Sequence, residues 1–568
     1  MQHINLITRR GFFDRSAKIG LGVALATLTD IPLVLKRALA EGTIGGNGKK
    51  VLFLWLRGAN DALNSLNPIL DSAYNATNRP NILIPKDTLA DYTATTGGCD
   101  FVLSGNNPTF DPENDNHQYS IPLHNGFAGL HPSLKFLAPV YNAGDLALVH
   151  RVGYPNQSRS HFDSQNYWEN GTPNNKLVAD GIFYRAMYES ILASSAINSG
   201  LTAVSIQSAL PMILRGSGAA MTNLTDPTRY NLLGIPNTTA GNTKADSALN
   251  AANSYPFADR LDRQFLDQQY HNLSETLQVF ANIDFSEDGS NGGPGNYFLD
   301  DAATDGDAPY YLFPTKAQKN GGAYLNSRSN DTTKYVVDSG AYSIFSNIKA
   351  AALILNKTDA IITGTEFSGF DTHNSQGATT GAHANLQRRI GWAMYGLKKF
   401  FTLYGKGGSR EMTGAKVEWN DVIVVTLSEF GRTTIENSSL GTDHAEAGLM
   451  FVAGGAIKGM GKIPTGDLTA RSSGVFCCGP NAGESYNGNV VPWNTGQTGS
   501  MFGVNSRYLK RAIDYRSVLG EIIRDHLGAT QNQIGRIIPG YAVANEKLQV
   551  GGASGIDGTT IAGEINLI

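Results

Sequence analysis

The stretch VIVVTLSEFGRTTIENSSLGTDHA (422–445) runs from an apolar segment into Glu429, Arg432, Asp443 and His444. FDTH (370–373) sets Asp371 and His373 two apart, and LRGAND (56–61) places Asp61 behind another apolar run. Carboxylates and imidazoles offer hard oxygen and borderline nitrogen ligands, a mixture that suits zinc, manganese or iron. One or two such ions would activate a nucleophile and stabilise charge on an ester oxygen. SRSHFDSQNYW (158–168) adds Ser158, Ser160 and His161. A serine opening a helix sits in positive potential that also favours an anion, and metal contact would further favour its deprotonation. Each residue taken singly has another explanation. Asp61 could cap a helix starting at Ala62, Asp371 could make an Asx turn with Thr372, and Ser160 could cap the helix that follows it. His373 and His444 could bond loop carbonyls, and Glu429 and Arg432 could form an ion pair that ties the loop down.

The elements that must position these residues are written as apolar runs. KKVLFLWLRGAND (49–61), LALVHRVG (146–153), LTAVSIQ (201–207), AIITGTEFSGFDTH (360–373), DVIVVTLSEFGRT (421–433) and LMFVAGGAIKG (449–459) each contain a continuous apolar segment, as strands buried on both faces do. Helical spacing is seen in 130–144, 260–283, 383–405 and 516–528, with Gly144 and Gly528 as stops. Strands alternating with helices predict an α/β fold: a three-layer sandwich with a mostly parallel central sheet and helices on both faces. Ligands of such sheets bind outside the carboxyl ends of the strands. Asp61, Ser160, His161, Asp371, His373, Glu429 and His444 all follow a predicted strand end, so distant segments are expected to converge on one edge.

Residues 75–125 are rich in Asn, Thr, Asp and Pro and read as surface loop. The region 216–335 is less regular and contains the Gly/Asp-rich stretch 286–309. Its acidic residues could hold calcium but lack EF-hand spacing, and solvated loop is the plainer reading.

Composition and termini narrow the class. At 41% hydrophobic and 17% charged, the chain of 568 residues has enough apolar sequence for a large soluble core. Arg9 and Arg10 precede a modestly apolar stretch (17–35) and the small-x-small site Ala38-Leu39-Ala40. That pattern predicts twin-arginine export to the periplasm or beyond, with cleavage after Ala40 and a single mature domain over 41–568. Asp30 and Pro32 argue against a stable membrane span there. The chain has 45 Lys/Arg against 49 Asp/Glu, and loss of the basic leader makes the remainder more acidic, which argues against nucleic acid as a partner. Three cysteines, Cys99, Cys477 and Cys478, make no disulfide framework and no C-x-x-C zinc site, though Cys99 could bridge to either of the others. There is no G-x-S-x-G elbow and no G-x-G-x-x-G after a strand, so an ordinary serine esterase and a dinucleotide enzyme are disfavoured.

LRGANDALN (56–64), GLHPSL (129–134), RSHFDSQNYWENG (159–171), FDTHNSQ (370–376), SEFGRT (428–433), GTDHA (441–445) and DYRSVLGEI (514–522) together resemble a bacterial family called domain of unknown function 1501. That family is similar in fold to the alkaline phosphatase and sulfatase superfamily. The resemblance implies an alkaline-phosphatase-like fold with long loop insertions, and a site holding one or two divalent ions (zinc, manganese, iron or calcium). It implies Ser160 as nucleophile beside His161, Asp61 and Glu429 on one metal, and Asp371, His373 and His444 on the other. Asp443 would be a ligand or would orient one. Where the phosphatases carry Asp-His, this chain has Glu429-Phe430. Arg432 would then supply the missing positive charge near an oxyanion.

Two functions follow as expectations. One is an exported metal-dependent hydrolase of phosphate or sulfate esters, acting on a small anionic ester or a polymer. The other is a non-catalytic envelope protein that keeps the fold and binds a polymer or a partner protein.

Overall fold

The computed structural model describes residues 42–86, 118–193, 199–219, 221–226, 337–461, 473–479, 483–486, 489–492, 507–542 and 545–568, with short pieces between 243 and 314. The expected export signal, Cys99, most of the helix at 260–283 and most of the loop at 286–309 lie outside the described residues.

Strand β1 (Lys50–Leu56) is buried along its whole length. Its residues alternate between two apolar layers. Leu52, Leu54 and Leu56 enter one core and Val51, Phe53 and Trp55 the other, as the two-residue period of a strand requires. Strand β6 (Val422–Leu427) repeats the pattern, with Val422 and Val424 on the first side and Ile423, Val425 and Leu427 on the second. Each such side chain contributes about 1.5–3 kcal/mol by leaving water. Covering both faces of these strands therefore dominates the energetics of the fold.

The sheet also contains β2 (Leu146–Gly153), β3 (Ala203–Ile206), β4 (Thr222–Leu224), β5 (Ile362–Phe367), β7 (Gly448–Gly454), β8 (Val475–Phe476) and β9 (Ile513–Asp514). It has nine strands in the order β8-β2-β7-β6-β1-β5-β3-β4, with β9 also paired to β2. Every pairing is parallel except those of β7, which runs against both β6 and β2. The first core holds helices α3 (Tyr342–Lys357) and α4 (Ala382–Leu403). The second holds α2 (Ile182–Ala193), α5 (Tyr515–Glu521), α6 (Gln531–Ile537) and the last turns of α1 (His161–Asn170) through Tyr167 and Trp168. The fold is α/β with a mixed, mostly parallel sheet between helices. Among the described residues no helix is long and apolar enough to cross a membrane.

Register aligns the strand ends that matter. Leu56 pairs with Phe367 and Trp55 with Leu427, so the chain leaves β1, β5 and β6 at one level. Because β7 is antiparallel, it begins at that same edge, with Gly448 opposite Val152 of β2. The whole connection 428–447 therefore stays on the edge where the parallel strands finish.

Part of the expected surface loop is not surface. Asn78, Arg79, Ile82, Ile84, Ile121 and Leu123 are buried. The segment turns inward because Arg79 pairs with Asp61 inside the fold.

The return from β6 to β7 is so close that Gly431 leaves no room for a side chain. A Cβ there would lie 1.7 Å from the carbonyl oxygen of Ala447. Gly431→Ala should cost about 3 kcal/mol, measured as a lower urea midpoint at unchanged slope; an unaltered midpoint would show that the two segments can separate freely.

Candidate functional site

Three segments bring their titratable side chains together on this edge. Ser160 caps α1, its Oγ accepting the Asp163 N–H at 3.5 Å, and His161 is the first residue of the helix. Asp371 and His373 follow β5, and His444 lies in the return to β7. The ligand atoms of His161, Asp371 and His444 all lie within 4.8 Å of one another. His444 Nε2 is 3.0 Å from His161 Nε2, 2.8 Å from His373 Nε2 and 3.3 Å from Asp371 Oδ1. Asp371 Oδ1 is 3.1 Å from His373 Nε2 and 3.5 Å from His161 Nε2. Ligands arranged tetrahedrally at zinc–nitrogen distances stand about 3.3 Å apart, so the separations among His161, Asp371 and His444 suit a single ion, with His373 Nε2 placed against His444 and Asp371 on the far side from His161.

Proton counting sharpens the point. The His444 Nδ1–H donates to the Arg159 carbonyl at 2.9 Å, and a carbonyl can only accept. His373 Nδ1 faces Asp443 Oδ1 at 3.3 Å, and His161 Nδ1 faces Glu429 Oε1 at 3.7 Å. Ionised carboxylates also only accept. Neutral His444 and His373 thus carry the proton on Nδ1 and turn an Nε2 lone pair inward. The Nε2 atoms of His161 and His444 and the Asp371 carboxylate oxygen then converge, with His373 Nε2 beside the last two. They are held from behind by oxygen partners, as metal-binding histidines usually are. A cation, or protons shared between rings, must fill that demand.

The surroundings set the charges. Burial opposes ionisation of Asp371, but the hydrogen bond and charge of Arg432, with His373 and His444, outweigh it and bring its pKa to about 2. The Glu429 hydrogen bond raises the His161 pKa, whereas desolvation lowers that of His444. Phe430 is buried, with its ring 4.9 Å from that of His161 and 4.8 Å from that of His444, and fixes both.

Several expected roles change. Arg432 does not reach an anion, because its side chain is 0% exposed. It donates to the carbonyls of Ala59 (2.9 Å), Thr442 (3.0 Å), Gly58 (2.5 Å) and Phe370 (3.1 Å), and to Asp371 Oδ1 (2.5 Å). Asp61 lies apart from the imidazoles as a buried partner of Arg79. The Arg79 Nη1–H donates to Asp61 Oδ2 at 2.8 Å, and Gln376 Nε2 donates to the same oxygen at 2.7 Å. Glu429 is turned toward the chain leaving β1. It accepts from the amides of Gly58 and Ala59, both at 2.9 Å, and from Gln165 Nε2 at 2.6 Å. These contacts outweigh burial and, with His161, keep its pKa below the ordinary value. Asp443 orients His373 and is itself held by Asn437 (2.9 Å) and Arg507 (2.9 Å). Sequence reasoning missed Gln165, Arg79, Gln376, Asn437 and Arg507. Gln165 had a signal, since it lies one helical turn after His161 on the same face.

The turn after β1 is shaped for this. Gly58 has φ +109°, and a Cβ there would lie 2.4 Å from the Asp371 amide nitrogen. Ala59 also takes a positive φ, 67°. Its N–H to Glu429 and its carbonyl to Arg432 hold that strained conformation.

Beneath the site, burial opposes ionisation of Asp61, and Arg79, with help from His383 and Gln376, overcomes it and lowers the pKa. That contribution is present above about pH 4, the unfolded value, and is lost as acid protonates the carboxylate. Arg79→Met should cost about 3–5 kcal/mol at neutral pH by leaving a buried charge unpaired. The loss should shrink when Asp61→Asn is added. Urea denaturation of both variants measures this, and a loss under 1 kcal/mol (about the value of an exposed pair) would contradict it.

Residues 325–467 match a family described as protein of unknown function (DUF1501). The matched segment includes Asp371, His373, Glu429, Arg432, Asp443 and His444, while Ser160 and His161 lie outside it. No curated protein and no solved structure matches the chain.

Proposed function

We propose that this chain is an exported metal-dependent hydrolase of phosphate or sulfate esters. The observation that carries the reading is the grouping of His161, Asp371 and His444, with His373 Nε2 against the last two and each imidazole facing an oxygen on its other nitrogen. These residues would hold the ion. Imidazole nitrogens beside a single carboxylate favour zinc, iron or manganese over calcium, which prefers oxygen throughout. When bound, the ion supplies Lewis-acid charge beside an ester oxygen and acidifies a hydroxyl that it touches.

Ser160 is the nucleophile in this reading. It is exposed and adjoins His161 in the chain. Its Oγ accepts from Asp163, which leaves its own proton to be given up. Oγ attack on phosphorus or sulfur forms the new ester bond and expels the alcohol, which takes a proton. Water then releases the phosphate or sulfate and restores the serine. The order of the motifs along the chain and the meeting of the donors at strand ends support an alkaline-phosphatase-like arrangement. Asp61 and Glu429 are taken by protein donors, which favours one ion over two.

That same engagement of Asp61 and Glu429 favours a second reading, in which the protein keeps a metal but only binds a polymer or partner protein. The two readings separate in one set of measurements on protein purified without chelator. Elemental analysis should find one ion per chain, and a chromogenic aryl phosphate or sulfate should be hydrolysed. Ser160→Ala should lose about 10³-fold or more in kcat yet keep its metal, whereas His444→Ala should lose the metal. Metal-loaded protein that cleaves neither ester would leave the binding reading, and metal-free protein with an intact fold would sink the metal-dependent one.

A further inference from the structure

With Arg432 sealed beneath the site, the anion of such an ester needs another partner. Two other arginines border the imidazoles. Arg507 gives its guanidinium to Asp443 at 2.9 Å. Arg159 stands differently. Its carbonyl accepts the His444 Nδ1–H at 2.9 Å, which fixes its backbone at the outer nitrogen of that ring, one residue before Ser160. Its guanidinium lies 4.2 Å from the centroid of the Tyr508 ring, and the residue is exposed. Among the described residues no carboxylate pairs with it.

The local charges leave room for an anion. Asp371 is paired with Arg432 and Asp443 with Arg507, while Glu429 is met by two amides, Gln165 and His161. A divalent ion among the imidazoles would therefore leave the site positive. A cation stacked on an aromatic ring has already lost much of its freedom, and the planar guanidinium offers two parallel N–H groups to a tetrahedral oxyanion.

We propose that Arg159, held ready by Tyr508, binds the phosphoryl or sulfuryl oxygens of the substrate. The assignment rests on the hydrolase reading and names the residue that recognises the anion. The site then favours esters whose charge lies on the transferred group itself, because Arg159 stands next to the proposed nucleophile, Ser160, in the chain.

The test uses the metal-loaded full protein with inorganic phosphate and inorganic sulfate as probes, read by calorimetric titration and by inhibition of aryl ester hydrolysis. Arg159→Ala should weaken binding of the preferred anion about tenfold or more, with metal content and thermal midpoint unchanged. Arg159→Lys should recover part of the affinity, and Tyr508→Ala should weaken it less than Arg159→Ala does. Unchanged anion affinity in metal-loaded Arg159→Ala overturns this assignment and leaves the hydrolase reading standing. If Arg159→Ala loses metal and reloading it with metal restores the full anion affinity, Arg159 serves only the metal centre and the assignment falls. Failure of the metal-loaded unaltered protein to bind either anion removes both readings.

Discussion

The site depends on the buried guanidinium of Arg432. It reaches the carbonyls of Gly58, Ala59, Phe370 and Thr442 and the carboxylate of Asp371. These atoms belong to the segments that leave β1 and β5 and to the return from β6. Burying a charge is costly unless it is paired and fully hydrogen-bonded, and this arrangement meets both conditions. The consequences pass outward. Asp371 is held with its Oδ1 toward the imidazoles. Ala59 is held with its N–H on Glu429, Glu429 stands behind His161, and Thr442 fixes the approach to Asp443 and His444. Arg79 joins two of these three segments, those after β1 and β6, at a deeper level, donating to Asp61 and to the carbonyls of Thr433 and Thr434.

The sheet supplies the rigid edge on which this clamp works. Parallel strands finishing in register bring the segments carrying Asp371 and Glu429 out at one level, and the reversed direction of β7 returns His444 to it. His161 comes from across β7, at the start of the helix that follows β2. Residues as far apart in sequence as His161 and His444 thus come within hydrogen-bond distance. The imidazoles are oriented by partners on their outer nitrogens before any ligand arrives, which is the preorganisation that a metal centre requires.

Much of this was legible in the sequence. VLFLWL, LALVHRVG and DVIVVTL are too apolar and too short to be anything but buried strands, and the carboxyl-end rule then placed Asp371, His373 and His444 on one edge. Ser160 as a helix cap followed from local chemistry. What local pattern did not carry were the partners. Asp61 looked like a ligand because nothing near it in sequence reveals Arg79, which lies in a stretch whose Asn- and Pro-rich composition suggests surface. Arg432 looked like an anion site because a guanidinium beside a carboxylate is equally suited to a buried clamp, and only the third dimension separates the two. The direction of β7 was hidden for the same reason, since an apolar run has no polarity of its own.

The central claim is that the grouped ligand atoms of His161, Asp371 and His444, with His373 beside them, are a metal centre. Anomalous diffraction at a transition-metal edge, from crystals of protein purified without chelator, tests it directly. The account predicts a peak about 2 Å from His444 Nε2 and Asp371 Oδ1. The contradicting result is well-ordered side chains at these positions with no anomalous peak among them, His444 Nε2 being hydrogen-bonded to a protonated neighbouring ring.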